Sequence, residues 1–255
     1  MAQAIILGLL QNSPESKSRL LATTRSPESA DAFTALTDIP CSNDNIAACN
    51  DADVLVIGVK PQMIAGLADK ISLHTKGKLI ISIAAGVRID TLKKAFDSDQ
   101  VIRVMPNTPL TVGLGASAYS SSEAVSTDQE LLCRQIFEAA GIIHKVEEKD
   151  IDAVTAVSGS GPAYIFELIR CMALRGTNLR LDENTALDLA SQTVAGAAAM
   201  VQAGIASPET LRNNVTSPNG TTFAALEQMK ADGFEDLVKR FITKAYDRSI
   251  ELGQA

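Results

Sequence analysis

Asp53-Val54-Leu55-Val56-Ile57-Gly58-Val59-Lys60-Pro61-Gln62 is the stretch on which the fold turns. Its apolar run is nearly continuous rather than alternating, the pattern of a strand buried on both faces of a parallel sheet. It stops at Lys60-Pro61, where proline fixes φ and suits the first position of a helix. A strand feeding a helix start is one βα unit of a doubly wound fold, and ligand loops in such folds gather at the C-terminal edges of the strands. Lys60 read alone is only a cation at a helix start. Upstream, Arg19 to Thr24 (RLLATT) reads as a short strand, and Ser26-Pro27-Glu28 starts a helix with Ser as cap and Pro in first position. Asn45 to Asn50 is a short helix. Downstream, Lys78 to Ala84 (KLIISIA) is a second buried strand, Ala85-Gly86-Val87 turns the chain, and Ile89 to Phe96 is a helix. Val101 to Met105 is the next strand, and it runs into Pro106-Asn107-Thr108-Pro109, a loop stiffened by two prolines. Gly113 to Ser120 as a strand, Thr127 to Ala140 as an amphipathic helix and Ile142 to Val146 as a last strand complete the alternation. Residues 1–147 are therefore predicted to form a doubly wound α/β domain.

The pattern then changes. Asp150 to Val157, Gly161 to Arg175, Asp182 to Ala203, Pro208 to Asn214, Thr221 to Asp232 and Phe234 to Leu252 all read as helices, and no strand follows Val146. Residues 148–255 are predicted to be an all-helical domain. Two short runs of Gly, Ser, Thr and Pro interrupt its apolar patterns: Ser158-Gly159-Ser160-Gly161-Pro162 and Thr216-Ser217-Pro218-Asn219-Gly220-Thr221-Thr222. Small residues let a backbone approach a ligand or another backbone, and free amides at a helix start hold anions. Either run alone is equally well a tight corner between helices. Ala195-Gly196-Ala197-Ala198-Ala199 has almost no side-chain bulk, so a second helix can come close.

Composition narrows the function classes. The formal net charge is −7 and aromatics are 4% of the chain, which argues against a nucleic-acid surface. Cys41, Cys49, Cys133 and Cys171 form no close pair and no metal spacing, which points to a reducing, cytoplasmic setting. His74 and His144 are the two histidines, too far apart in sequence to suggest a metal site. No stretch is long and apolar enough to span a bilayer, and the N-terminus lacks a basic region and a clear cleavage site.

The joint pattern of DVLVIGVKPQ, RVMPNTP, SGSGPAY and SPNGTT, in this order, resembles the pyrroline-5-carboxylate reductases, the enzymes of the last step of proline biosynthesis. The resemblance runs from Met1 to the C-terminal helix. It implies a Rossmann-like N-terminal domain, an all-α dimerisation domain, and reduction of the cyclic imine 1-pyrroline-5-carboxylate to L-proline by NADP(H) or NAD(H). Met1 to Leu10 (MAQAIILGLL) reads as a helix from its first residue, with no strand or G-x-G-x-x-G turn before it. In the family a Gly-rich turn enters this helix, so the chain is expected to begin inside that turn. The resemblance places the cofactor against Met1, Ala2, Thr24, Arg25, Ser26, Asn45, Val59, Lys60, Pro61, Ala85, Gly86, Met105, Pro106, Asn107 and Thr108. Arg25 between hydroxyls at a strand end favours the 2′-phosphate of NADP. It places the substrate against Ser158, Gly159, Ser160, Gly161, Ser217, Asn219, Gly220, Thr221 and Thr222, with Thr222 on the imine nitrogen. No metal is implied. Asn219 stands where the family has Gly, and Asn is the non-Gly residue that best tolerates positive φ. Asn213 stands where the family often has an acid.

Two alternatives stay open at this level. One is a related two-domain hydroxyacid or imine reductase; the hydroxyacid enzymes use a lysine in the helical domain, and none occurs between Tyr164 and Met229. The other is an impaired homologue that dimerises through its helices without binding a dinucleotide. A homodimer or a higher homo-oligomer is expected.

Overall fold

The structure, a computed structural model, describes residues 1–254. Packing divides it into two compact units: residues 1–160 with the C-terminal turns from Ala245 onward, and residues 161–244.

The first unit is an α/β layer structure. Its elements in order are α1 (Ala2–Asn12), β1 (Ala22–Thr23), α2 (Pro27–Thr37), β2 (Cys41–Ser42), α3 (Asn45–Asp51), β3 (Val54–Ile57), α4 (Ile64–Ile71), β4 (Leu79–Ser82), α5 (Ile89–Phe96), β5 (Val101–Met105), β6 (Gly115–Ser121), α6 (Thr127–Glu138), β7 (Gly141–Lys145) and α7 (Ile151–Val154). Five strands form one sheet in the order β3-β4-β5-β6-β7, parallel except for the antiparallel β5–β6 pair. Strand alternation sorts its side chains to two cores. Leu79, Ile81, Ile102 and Val104 meet Ala4 and Ile5 of α1 and Cys133 and Phe137 of α6. Ile80 and Val101 meet Ile64, Ala68 and Ile71 of α4 and Leu92 and Phe96 of α5. Each such aliphatic or aromatic side chain contributes about 1.5–3 kcal/mol by leaving water. The local signals match the ends: Ser126 and Gln129 form a reciprocal capping box on α6, and Asp44 accepts from the amides of Ile46 and Ala47 at 3.0 Å to start α3.

One expectation from the sequence fails here. The run Asp53 to Val59 has the apolar pattern of a strand buried on both faces, but Val54 and Leu55 are half-buried and Val56 is 38% exposed. The reason is topological. β3 is an edge strand, and the β1–β2 pair stands as a separate two-stranded sheet with no hydrogen bond to it. In β4, by contrast, all four residues are buried.

The second unit is all-helical: α8 (Gly161–Asn178), α9 (Glu183–Gln202), α10 (Pro208–Asn214), α11 (Thr221–Ala231) and the first turns of α12 (Phe234–Gln254). α8 and α9 pack closely, and a Cβ on Gly176 would lie 3.2 Å from that of Ala186. Tyr164 and Phe241 pack with ring centroids 4.7 Å apart and their planes tilted by 53°. Few residues of this unit are buried. Phe166, Leu174 and Leu189 are all more than half exposed, and nothing lies within 4 Å of where a Cβ on Gly196 would be. So much uncovered apolar surface marks an interaction face. No helix of the described residues is long and apolar enough to cross a membrane.

Candidate active site

The expected cofactor residues Thr24–Ser26, Val59–Pro61, Ala85–Gly86 and Met105–Thr108 lie at or just after the C-terminal ends of β1, β3, β4 and β5, where a doubly wound sheet binds ligands. At the end of β1, Thr24 Oγ1 donates to the Ser26 carbonyl at 3.2 Å, Ser26 Oγ accepts from the Ser29 amide and caps α2, and Arg25 is exposed. At the end of β3, Gly58 admits α1: a Cβ there would lie 2.8 Å from that of Ala2. α1 has no side-chain cap, and its first internal bond is Ile5 N–H to the Met1 carbonyl at 3.1 Å. The amides of Ala2, Gln3 and Ala4 are therefore left outside the helix ladder, a set of donors suited to an anion. Val59, Lys60 and Pro61 lead into a short 3₁₀ turn, Pro61–Met63, before α4, and Asn45 is the first residue of α3. At the end of β4, the turn Ala85-Gly86 uses a left-handed glycine (φ 77°).

The β5 loop is the most tightly built. Asn107 is 7% exposed, and its Nδ2 donates to the Ser158 carbonyl at 3.1 Å while its Oδ1 accepts from the Ala116 amide at 2.9 Å. One side chain thus ties the Met105–Thr108 loop to β6 and to the Ser158 segment. That segment, Thr155–Gly159, is one turn of π-helix closed by Ser160 N–H on the Thr155 carbonyl at 2.8 Å. Such π turns recur at functional sites. Gly159 leaves room for the terminal methyl of Met105, which a Cβ would overlap. Met105, Asn107, Ser158 and Gly159, read separately in the sequence, are brought together here; the π turn had no signal in the sequence beyond its small residues.

In the second unit, Ser217–Thr222 forms a turn followed by α11. Asn219 is in the left-handed region (φ 58°), as its residue type allows. Gly220 N–H donates to the Ser217 carbonyl at 3.0 Å, and a Cβ on Gly220 would overlap Ser217 Oγ. α11 has no side-chain cap, and its ladder starts with Ala224 N–H on the Gly220 carbonyl. The amides of Thr221, Thr222 and Phe223 are thereby free of the ladder, at the positive end of the helix dipole. Gly161 opens α8. Asn213 is held by Arg212, whose Nη2 donates to its Oδ1 at 3.1 Å. Among the described residues no group of three or more His, Cys, Asp or Glu is placed to hold a metal ion.

Strand-end loops, a helix start with free donors and an exposed Arg between hydroxyls define the class: a two-domain, nicotinamide-dinucleotide-dependent oxidoreductase. Known proteins agree. A family model described as pyrroline-5-carboxylate reductase dimerisation matches residues 148–252, and one described as NADP oxidoreductase, coenzyme F420-dependent, matches residues 1–86. The pyrroline-5-carboxylate reductase of Synechocystis is 35% identical over 254 residues, covering 100% of this chain and 95% of the relative. That of Pseudomonas aeruginosa is 43% identical over 213 residues, covering 82% and 78%. Among solved structures, the pyrroline-5-carboxylate reductase of Coxiella burnetii superposes with a TM-score of 0.93 at 34% identity, covering 100% of this chain and 95% of that one. The Plasmodium falciparum pyrroline carboxylate reductase, solved with NADP bound, superposes with a TM-score of 0.87 at 29% identity, covering 98% and 93%. The chain belongs to the pyrroline-5-carboxylate reductase family.

Proposed function

We propose that this chain reduces 1-pyrroline-5-carboxylate to L-proline with NADPH as the preferred donor, acting as a homodimer. The observation that carries the reading is the Ser217–Thr222 turn: free amides at the start of α11 beside two threonine hydroxyls. These amides, with Ser217 and Gly220, hold the substrate carboxylate, an anion at a helix N-terminus. Thr222 Oγ1 hydrogen-bonds the imine nitrogen as it becomes an amine. Ser158, Gly159, Ser160 and Gly161 are further substrate contacts. The strand-end residues Thr24, Arg25, Ser26, Lys60, Pro61, Ala85, Gly86 and Met105–Thr108 hold the dinucleotide, with the α1 amides toward its pyrophosphate. Arg25 is a fixed charge for a 2′-phosphate, which supports NADP over NAD. When bound, NADPH supplies the hydride, and the protein's work is to orient the partners and exclude water. The uncovered apolar helices support the dimer. Turnover with NADPH and with NADH tests the reading: L-proline is expected from both, with the higher kcat/KM for NADPH. Equal values would remove the role given to Arg25.

A further inference from the structure

α12 begins in the helical unit and ends in the α/β unit, and its last turns are pinned there by a buried polar cluster that no step above uses. Ser249 and Asp152 are each 5% exposed, and Ser249 Oγ donates to Asp152 Oδ1 at 2.7 Å. The other Asp152 oxygen lies 4.0 Å from Arg88 Nη2. Ile89, the next residue, donates its amide to Glu148 Oε1 at 2.7 Å, and the same oxygen takes Arg103 Nη1 at 3.3 Å. Arg103 is 3% exposed; burial pushes its guanidinium down, and Glu148 pulls it back up. The cluster thus grips Arg88 and Ile89, directly after the Ala85-Gly86 turn. The end of α12 reaches the same turn from outside. A Cβ on Gly86 would lie 3.4 Å from the Leu252 carbonyl and 3.6 Å from Gly253 N, and one on Gly253 would lie 3.3 Å from the Gly86 carbonyl. The two backbones therefore lie so close that a methyl on either glycine would press on the other segment's main chain.

We infer that Ser249 and Asp152 are positioning residues for the cofactor: they hold the end of α12 against the Gly86 turn and so fix that turn before a dinucleotide binds. This rests on the assignment of Ala85 and Gly86 as cofactor contacts made above. The alternative of a purely structural tail predicts no link between residues 245–252 and the turn.

The test compares wild type with Ser249→Ala, Ser249→Thr and Asp152→Asn. Amide hydrogen exchange of the free protein is read for residues 84–89 and 245–252, and NADPH affinity by fluorescence titration. Loss of a buried hydrogen bond to a carboxylate is expected to speed exchange in both segments by roughly tenfold or more. The Kd and KM for NADPH rise by a similar factor in Ser249→Ala, with the imine KM and kcat within about twofold, and Ser249→Thr restores them. Exchange that quickens at 245–252 but not at 84–89 overturns the inference, as does an unchanged NADPH Kd. A fall of kcat together with both KM terms also overturns it, because that is general loosening. If Ser249→Ala does not fold, Asp152→Asn carries the same readings with its shape kept. Wild type that binds NADPH without turning over the imine would refute the proposed reaction and leave the exchange and affinity readings valid.

Discussion

Gly159→Ala separates packing from function at the β5 loop. An added methyl overlaps the terminal carbon of Met105 but meets Thr155 Cγ2 at 3.6 Å and Met105 Cγ at 3.8 Å, both ordinary contacts. Only the end of a flexible side chain has to move. Moving it off its rotamer costs about 0.5–1.5 kcal/mol. Alanine in place of a helical glycine returns roughly 0.5–1 kcal/mol. Net stability therefore changes by no more than about 1 kcal/mol, a Tm shift under roughly 4 °C for a chain of this size. Activity is expected to behave differently. Met105 and Gly159 are assigned to the cofactor and substrate, and a displacement near 1 Å beside reacting groups costs on the order of 10²-fold in rate. Thermal melting and steady-state kinetics on the same preparation measure both. A variant within twofold of wild type in kcat/KM would refute the placement of Met105 against the dinucleotide. A fall in Tm of 10 °C or more would show that the added methyl displaces more than the end of the Met105 side chain.

Thr222→Ala is expected to lower kcat by roughly 10–10³-fold with the helical unit intact by circular dichroism, since one hydrogen bond made in the transition state is lost. Wild-type turnover would move that role to another group. Sedimentation at micromolar concentration is expected to give a dimer or larger species, and a monomer mass would leave the exposed faces of α8 and α9 unexplained.

Most of the fold was legible because it rests on local chemistry. Ile89–Phe96, Val101–Met105 and Pro208–Asn214 have the bounds that periodicity, proline and glycine set. What was not legible depends on neighbours. Val56 reads as a core residue because its own run is apolar, but exposure is decided by what pairs with β3. Cys41–Ser42 is too short to show a period, so β2 went unread. The site loops were legible as motifs, and Asn219 kept its turn as expected. The Asn107 clamp and the cluster of Arg103, Glu148, Asp152 and Ser249 were not, because their members lie up to 146 residues apart in the chain and each alone resembles a surface polar residue.

The central claim is that hydride passes from the nicotinamide to the imine carbon on this protein. The most direct measurement supplies 1-pyrroline-5-carboxylate and NADPH deuterated at both positions of nicotinamide C4 to the protein, and reads the product by mass spectrometry and NMR. L-Proline carrying one deuterium, at C5, is the predicted result. Unlabelled proline, or none from protein shown to be folded, would contradict it.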